Sequence, residues 1–306
     1  MALTKYIMKR LLILLCTLFI VITITFFLMQ IMPGTPFHNP KLTPEQLAAL
    51  ERAYGLDLPL WRQYLLYLRN MVTGNFGTSF TYMNQSVGMM VAQRLPVSVQ
   101  LGIQAMLIGT FLGVLLGKTA ATHKNTWIDT LSSLLSTVFV SVPSFIFGMI
   151  LLLGLGFYMN VLPISGWGDF SSSIMPTIAL AVQPMAVVQR FVRSEMVESL
   201  DSDYILLARA KGLSDKEVVS KHALRNSLIP TLTLIGPMTA GLLTGSMLIE
   251  NMFNIPGIGQ QFVTSIAAKD FPVIMGTTIV YAIMLMAMIL MTDIATAFVD
   301  PRVRLQ

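Results

Sequence analysis

The chain has 306 residues, of which 54% are hydrophobic and only 11% are charged, and its formal net charge is +5. Together with a mean hydropathy of +0.70, this composition excludes an ordinary soluble domain. It predicts a membrane protein whose helices cross the bilayer. The placement of lysine and arginine along the chain accounts for the positive charge, which therefore gives no support to nucleic-acid binding.

Six uncharged runs have the length of membrane-spanning helices. They cover residues 11–32, 97–116, 130–168, 174–189, 226–249 and 271–292. The third run is longer than one span needs, and we expect it to leave the bilayer near residues 160–163. We expect the fourth run to extend to Arg193. Five prolines in the third to fifth runs are expected to kink or end their helices. They are Pro143, Pro176, Pro184, Pro230 and Pro237.

The first run follows three basic residues, as the apolar part of a signal peptide does. Its 22 uncharged residues exceed the ~7–15 that are usual there, and no small-x-small cleavage site precedes Pro33, so we interpret it as a retained span. With both termini in the cytoplasm, 14 of the 20 lysines and arginines lie inside, and the short outer loops contain only Lys269. This distribution follows the positive-inside rule and places residues 33–95 outside.

The outer segment 33–95 is predicted to contain two short helices. Thr43 opens a capping box with Pro44 at the first helical position, and Gly55 can end this helix. Pro59 can begin the second helix. The apolar stripe of the second helix consists of Trp61, Tyr64, Leu65 and Leu68. Such a stripe either packs within the chain or docks a partner.

Residues 203–230 form the only long polar interval in the second half of the chain. The acidic and serine residues at 201–203 can cap a first short helix, and Gly212 suits the left-handed position that ends it. Ser214 and Glu217 form a capping box that opens a second helix. A capped helical hairpin of this kind either binds another protein or is a solvated loop, and local physics leaves both open.

The same interval resembles the cytoplasmic coupling loop of binding-protein-dependent ABC importers. In that family a run of small residues precedes a glycine, and here residues 206–208 precede Gly212. The end departs from the general pattern, because residues 222–225 read His-Ala-Leu-Arg where Ile-x-Leu-Pro is expected. That variant resembles the peptide-permease branch. The resemblance implies that an ATPase contacts Tyr204, Leu207, Ala208, Ala210, Lys211, Gly212, Leu213, Ser214, Glu217, His222, Ala223 and Leu224.

Further phrases extend the resemblance over nearly the whole chain. They lie at residues 33–37, 55–59, 74–80, 250–259 and 300–302, and they are similar to the B-type permease subunits of oligopeptide and dipeptide importers. The resemblance implies an all-α type I importer permease with six transmembrane helices and a small helical insertion outside the membrane. Its parts would be the N-terminus and first span (1–32), the outer segment (33–95), a five-helix core (96–300) that includes the coupling loop (194–227), and a cytoplasmic tail (301–306).

The resemblance also implies the assembly in which such a chain works. A second, similar permease subunit would complete the pathway, two cytoplasmic ATPase subunits would bind ATP and Mg²⁺, and an extracytoplasmic binding protein would deliver the substrate. The chain would lie in the lipid of a bacterial cytoplasmic membrane and would cross it several times. Oligopeptides are the expected substrate, and dipeptides, nickel or another small solute are the alternatives within this class.

No nucleotide site is expected in the chain itself. Residues 113–119 resemble a P-loop, but three residues separate Gly113 from Gly117 where four are required. These glycines share a helical face with Gly109, so we interpret them as a site of close helix packing. His38, His123 and His222 lack metal-ligand spacing, Cys16 is interpreted as an apolar core residue, and no catalytic set converges in the sequence. We therefore expect neither enzymatic activity nor a bound cofactor or metal.

A few polar residues in or near the spans are candidates for the transport pathway. Gln183 and Gln189 flank Pro184 and could face a water-filled path, although proline kinks are common in any helix bundle. Glu250 is either a gate at the outer mouth or a residue of a helix interface. A rival hypothesis is a secondary transporter that uses Glu250 or Asp293 as its titrating group, but inverted repeats and charges deep in a span are not evident.

Overall fold

The computed structural model describes residues 2–31, 44–53, 55–82, 85–243 and 247–299. Over these residues the chain is helical, and the only β pairing described there is an isolated bridge between Thr78 and Ser86. The sequence phrases at 33–37 and 300–302, and the proposed cap Thr43, lie outside the described residues. The all-α prediction is confirmed.

Thirteen α-helices are described. They are α1 (Ala2–Ile31), α2 (Pro44–Ala53), α3 (Leu60–Val72), α4 (Val87–Thr122), α5 (Trp127–Ser141), α6 (Ser144–Leu151), α7 (Phe170–Leu200), α8 (Asp203–Ala210), α9 (Asp215–Glu217), α10 (Leu224–Leu243), α11 (Met247–Met252), α12 (Ile258–Ala268) and α13 (Phe271–Val299). Two π-helical segments are also described. Leu152–Tyr158 continues α6, and Val218–Ala223 joins α9 to α10.

Five of the described helical stretches are long and apolar enough to cross a membrane. They contain α1, α4, α7, α10 and α13, and a sixth span results if α5 and the α6 unit are counted together. These two helices meet at a bend of 100°, at the position of Pro143, which lies between them. The kink predicted at Pro143 is therefore confirmed. The helical part of the third run ends at Tyr158, next to residues 160–163, where the run is expected to leave the bilayer.

The other four prolines do not end their helices. Pro176 and Pro184 lie inside α7, while Pro230 and Pro237 lie inside α10. Prolines are tolerated in membrane helices where neighbouring groups satisfy the freed backbone carbonyls. Of the two expected effects, ending the helix does not occur at these prolines, and kinking stays a prediction. Helix α7 extends past Arg193 to Leu200.

Helices α4 and α7 approach each other through the glycine face predicted from the sequence. A Cβ atom on Gly113 would lie 2.7 Å from the Met185 carbonyl oxygen and 2.8 Å from Val188 Cβ. Similar contacts would occur at Gly109, against Ala181, and at Gly117. Small residues at these positions let two backbones lie in direct contact. The packing interpretation is confirmed, and the α4–α7 pair forms the centre of the bundle.

The outer segment packs partly on the first and last spans. Phe26 of α1 stacks with Tyr67 of α3, and Tyr64 donates or accepts a 2.7 Å hydrogen bond with Thr23. Trp61 and Leu65, from the same predicted stripe, are 59% and 55% exposed. Part of the stripe is therefore core, and the remainder stays on the surface. Cys16 is also exposed on α1, so its assignment to the core is wrong.

The loop before α4 is fixed to the start of α13. The Asp270 carboxylate accepts hydrogen bonds from the Ser79 hydroxyl, from Phe80 N at 3.0 Å and from Thr81 N at 3.2 Å. Asp270 and Ser79 are buried, so the bonds satisfy groups that water does not reach. This contact joins the outer segment to the membrane core.

Candidate functional site

The polar interval 203–230 forms the helical hairpin that its sequence predicts. Helix α8 ends at Ala210, and Gly212 follows with φ of +84°, the left-handed conformation that favours glycine. The Ser214 side chain then accepts from Glu217 N while the Glu217 carboxylate reaches back to Ser214 N. Lys221 Nζ lies 3.1 Å from Glu217 Oε1. Both the glycine turn and the capping box are confirmed.

The second arm of the hairpin differs from the predicted short helix. It begins at α9, continues through the π-helical segment Val218–Ala223 and runs directly into α10. The second arm of the hairpin is therefore the beginning of a long helix, with α8 folded against it. Displacement of this arm acts directly on the helix that follows it.

One face of the hairpin is anchored to the bundle. Ile205, Ala208, Val218 and Ala223 are buried, and they form one apolar cluster with residues of α4 and α7 such as Met196. Two residues predicted from the family resemblance to meet an ATPase, Ala208 and Ala223, thus contact this chain itself. They hold the hairpin in place.

The opposite face of the hairpin is exposed and partly apolar. Leu206 and Leu207 are 68% and 56% exposed, and Tyr204 is 41% exposed. Ala210, Lys211 and Gly212 continue this surface, while Leu213, His222 and Leu224 are half-buried beside it. Adjacent exposed leucines next to a basic residue form a small apolar patch with a polar rim, which is typical of protein-binding surfaces.

The three candidate pathway residues lie in different environments. Gln183 is exposed and lines a cavity of 410 Å³ between α6, α7 and α10. Gln189 is fully buried, and its Nε2 donates to Ser132 Oγ at 2.9 Å. Glu250 is also fully buried. In this chain taken alone, only Gln183 faces open space.

The Glu250 carboxylate joins α11 to α4 and α12. Its Oε1 accepts from Ser98 Oγ at 2.7 Å, and its Oε2 accepts from Gln260 N at 2.9 Å. Ser98 Oγ in turn accepts from Ile258 N at 2.9 Å. A Cβ atom on Gly257 would collide with both the Glu250 and Ser98 side chains. The glycines of the phrase 250–259 thus leave room for this carboxylate.

An ion pair holds α5 against α7. Arg193 Nε lies 2.5 Å from Asp129 Oδ1, and Arg193 Nη2 donates to Asp129 Oδ2 at 2.7 Å. Asn125 N donates a further bond to Asp129 at 3.0 Å. This two-point geometry is the strong form of an arginine–carboxylate pair. One helical turn before Arg193 in α7, the Gln189–Ser132 bond joins the same two helices.

Two protein-family models match this chain. The model described as "Binding-protein-dependent transport system inner membrane component" matches residues 109–305. The model described as "Binding-prot-dependent transport system membrane comp, N-term" matches residues 3–102. The chain belongs to this family. It is a membrane permease subunit of an ABC importer, and its several apolar helices make it a multi-pass protein of the cytoplasmic membrane.

Similar curated proteins align with the permease over almost its whole length. The dipeptide transport system permease protein DppB of Lactococcus lactis subsp. cremoris is 69% identical over 98% of this chain and 99% of its own. DppB of Bacillus subtilis is 41% identical over 98% of both chains. The oligopeptide transport system permease protein OppB of Haemophilus influenzae is 40% identical over 98% of this chain and 99% of its own.

A solved structure has the same fold. It is titled as the crystal structure of an amino acid ABC transporter with histidines, and it aligns with a TM-score of 0.52 and 15% identity over 70% of the permease and 94% of that chain. At this identity the likeness concerns the fold alone. The type I importer fold predicted from the sequence motifs is confirmed.

Several interactions of the permease were not predicted from the sequence. Asp129 and Arg193 lie just beyond the ends of uncharged runs. Because charges at the same depth of adjacent spans usually pair, this position was the sequence feature that could have indicated their ion pair. Ser98 and Asp270 carried no such signal, because their partners lie 152 and 191 residues away in the chain.

Proposed function

We propose that the permease forms half of a peptide translocation pathway that is driven by ATP hydrolysis in partner subunits. The observation that carries this proposal is the hairpin at 203–230, which is anchored by one face and exposed by the other. An element built in this way transmits force from a protein outside the membrane to helices inside it. The remaining half of the pathway would come from a second, similar permease subunit.

The exposed face of the hairpin is the proposed contact with a cytoplasmic ATPase. Leu206 and Leu207 would fill an apolar groove, and Lys211 would lie at its rim. Gly212 and the Ser214–Glu217 box fix the angle between the two arms, and the buried Ala208 and Ala223 fix the hairpin to the bundle. ATP and Mg²⁺ would bind to the ATPase, and no residue of the permease is proposed to hold them.

The proposed cargo is a short peptide. Relatives named for dipeptide transport are 69% and 41% identical to the permease, and relatives named for oligopeptide transport are 38–40% identical. The sequence phrase at 33–37 favours oligopeptides, whereas the names of these relatives favour dipeptides. We therefore include both, delivered by an extracytoplasmic binding protein. Nickel or another small solute remains the alternative cargo.

Uptake driven by ATP separates this proposal from a secondary transporter. Cells that carry the whole transporter should accumulate a labelled peptide after an ionophore has collapsed the ion gradients, provided that ATP is maintained. Abolished uptake under these conditions would favour the secondary transporter. Unlabelled dipeptide, pentapeptide and nickel, added as competitors, identify the cargo. Competition by nickel alone would contradict a peptide substrate.

A further inference from the structure

Two cavities lie next to each other on the permease. The first, of 410 Å³, is lined by Ser144, Gln183 and Val187 together with residues of α10. The second, of 570 Å³, lies between α5 and α7 and also includes Val187 and Arg190. Both linings include Val187, so the two cavities lie side by side on one surface of α7. We call the two together the α5–α7 groove.

The α7 wall of the groove is a single helical stripe. Gln183, Val187, Arg190 and Ser194 line it, and their spacing of three and four residues places them on one face. Gln183, Arg190 and Ser194 are exposed. The wall thus presents an amide, a guanidinium and a hydroxyl in a row.

The opposite wall carries hydroxyl groups. Ser133 and Thr137 of α5 line the groove, and Ser144 of α6 continues it beyond the bend. The remaining surface of α5 is apolar, and Leu134 and Val138 are 59% and 45% exposed there. Exposed polar groups at this depth are costly against lipid but not against water or a polar ligand. The lining of the groove is largely apolar, with residues such as Phe191 and Leu242, and its exposed polar side chains are suited to water or a polar ligand.

Arg190 differs from its neighbour Arg193. The Arg193 guanidinium is held by Asp129, whereas no ion pair in the described part of the chain includes Arg190. The residues that line the 570 Å³ cavity include both arginines and no carboxylate. A guanidinium in a groove without acidic residues is suited to a planar anion such as a carboxylate, which it binds at two points.

We propose that Arg190 binds the C-terminal carboxylate of the transported peptide while Gln183 contacts the peptide backbone. The α5–α7 groove then selects peptides with a free C-terminus. This inference rests on the proposed function. Gln183 and Arg190 are separated by about 10 Å along the helix axis, at 1.5 Å per residue. An extended peptide of about three residues has that length.

The test compares two labelled substrates in cells that carry the whole transporter. Trialanine has a free carboxylate, and trialanine amide has none. The Arg190→Gln variant should reduce trialanine uptake about tenfold, the effect of losing one charge-assisted contact, and leave amide uptake unchanged. Arg190→Lys should retain much of the preference for trialanine. Lys118→Gln removes the same charge from a residue that lines neither cavity, and it should behave as the wild type does.

A second variant leaves Arg190 in place. Ser194→Asp puts a carboxylate four residues from Arg190 on the same exposed face, where it would pair with the guanidinium. It should produce the same loss of preference for trialanine. If Arg190→Gln fails to accumulate in the membrane, the Ser194→Asp comparison decides the question.

The outcomes distinguish this inference from the function on which it rests. If the wild type takes up neither substrate, the proposed peptide cargo is wrong. If the wild type transports peptides but the ratio of trialanine to amide uptake is the same in all variants, the inference is overturned. If Arg190→Gln reduces both substrates equally, and only in proteoliposomes that contain anionic phospholipid, Arg190 binds a lipid phosphate and the inference is likewise overturned.

Discussion

Ser98 and Glu250 are 152 residues apart in the chain, yet their side chains share a 2.7 Å hydrogen bond in the interior of the permease. Glu250 also accepts from Gln260 N, and Ser98 accepts from Ile258 N. The two side chains thus satisfy the first backbone donors of α12 and fasten that helix to α4. This arrangement favours the interface role of Glu250 over the gate role, because the carboxylate has no open space in front of it.

The first prediction concerns this pair. Ser98→Ala should lower the free energy of unfolding by about 1–3 kcal/mol, because Glu250 Oε1 and Ile258 N would both lose a partner while remaining buried. The melting temperature of the detergent-solubilised complex measures the effect. Ser165→Ala, at an exposed serine, is the matched control. Equal melting temperatures for the two variants would contradict the role given to the pair.

The second prediction concerns the glycine contact between α4 and α7. Gly113→Ala should destabilise the permease by about 1–3 kcal/mol, since the new methyl group would press on the Met185 carbonyl and Val188. Gly113→Leu should reduce the amount of permease in the membrane severely. Gly154→Ala is the control, because a Cβ atom there meets nothing within 4 Å. Wild-type levels of Gly113→Leu would show that α4 can move away from α7 at little cost.

The third prediction concerns the turn of the hairpin. A Cβ atom on Gly212 meets nothing within 4 Å, so a substitution there tests the backbone conformation alone. Gly212→Val should cost about 1 kcal/mol or more at φ of +84° and tilt the two arms. Gly212→Asn should be tolerated, because asparagine adopts left-handed conformations more readily.

Co-purification of the ATPase and ATP-driven peptide uptake are the measurements for Gly212. We expect both to fall for Gly212→Val and to persist for Gly212→Asn, with normal amounts of each variant in the membrane. If the two variants behave alike, the left-handed turn has no part in coupling.

The fourth prediction concerns orientation. A cysteine in place of Asp57, which is exposed before α3, should react with an impermeant thiol reagent in intact cells, in a Cys16→Ser background. A cysteine in place of Lys216, exposed on the hairpin, should react only after lysis. The positive-inside distribution is the physical reason. The reverse labelling pattern would place the hairpin outside and exclude its contact with a cytoplasmic ATPase.

The elements that were predictable from the sequence depend on local signals. The left-handed Gly212, the Ser214–Glu217 box and the break at Pro143 each follow from a few adjacent residues. The close helix packing of Gly113 was predictable because its spacing with Gly109 and Gly117 repeats every helical turn, whereas its partner α7 was not. Each of these features is set by backbone geometry, which one stretch of sequence is sufficient to specify.

The remaining features depend on contacts between distant parts of the chain. The course of α7 through Pro184 depends on neighbours that no local pattern shows. The pairing of Asp129 with Arg193 and the burial of Gln189 depend on how α5 lies against α7. The open groove beside Gln183 is visible only when three helices are in place, and so the candidate pathway could be named from the sequence only in part.

The close approach of α4 and α7 has a mechanical consequence. Two backbones in contact over three successive turns cannot slide past each other without repacking their side chains, because protein interiors are close-packed. The 31 residues of α7 span about 46 Å along the helix axis, with α8 attached at one end. A force on α8 would therefore be passed to α4 as well as to α7, and the bend at Pro143 lies outside this contact.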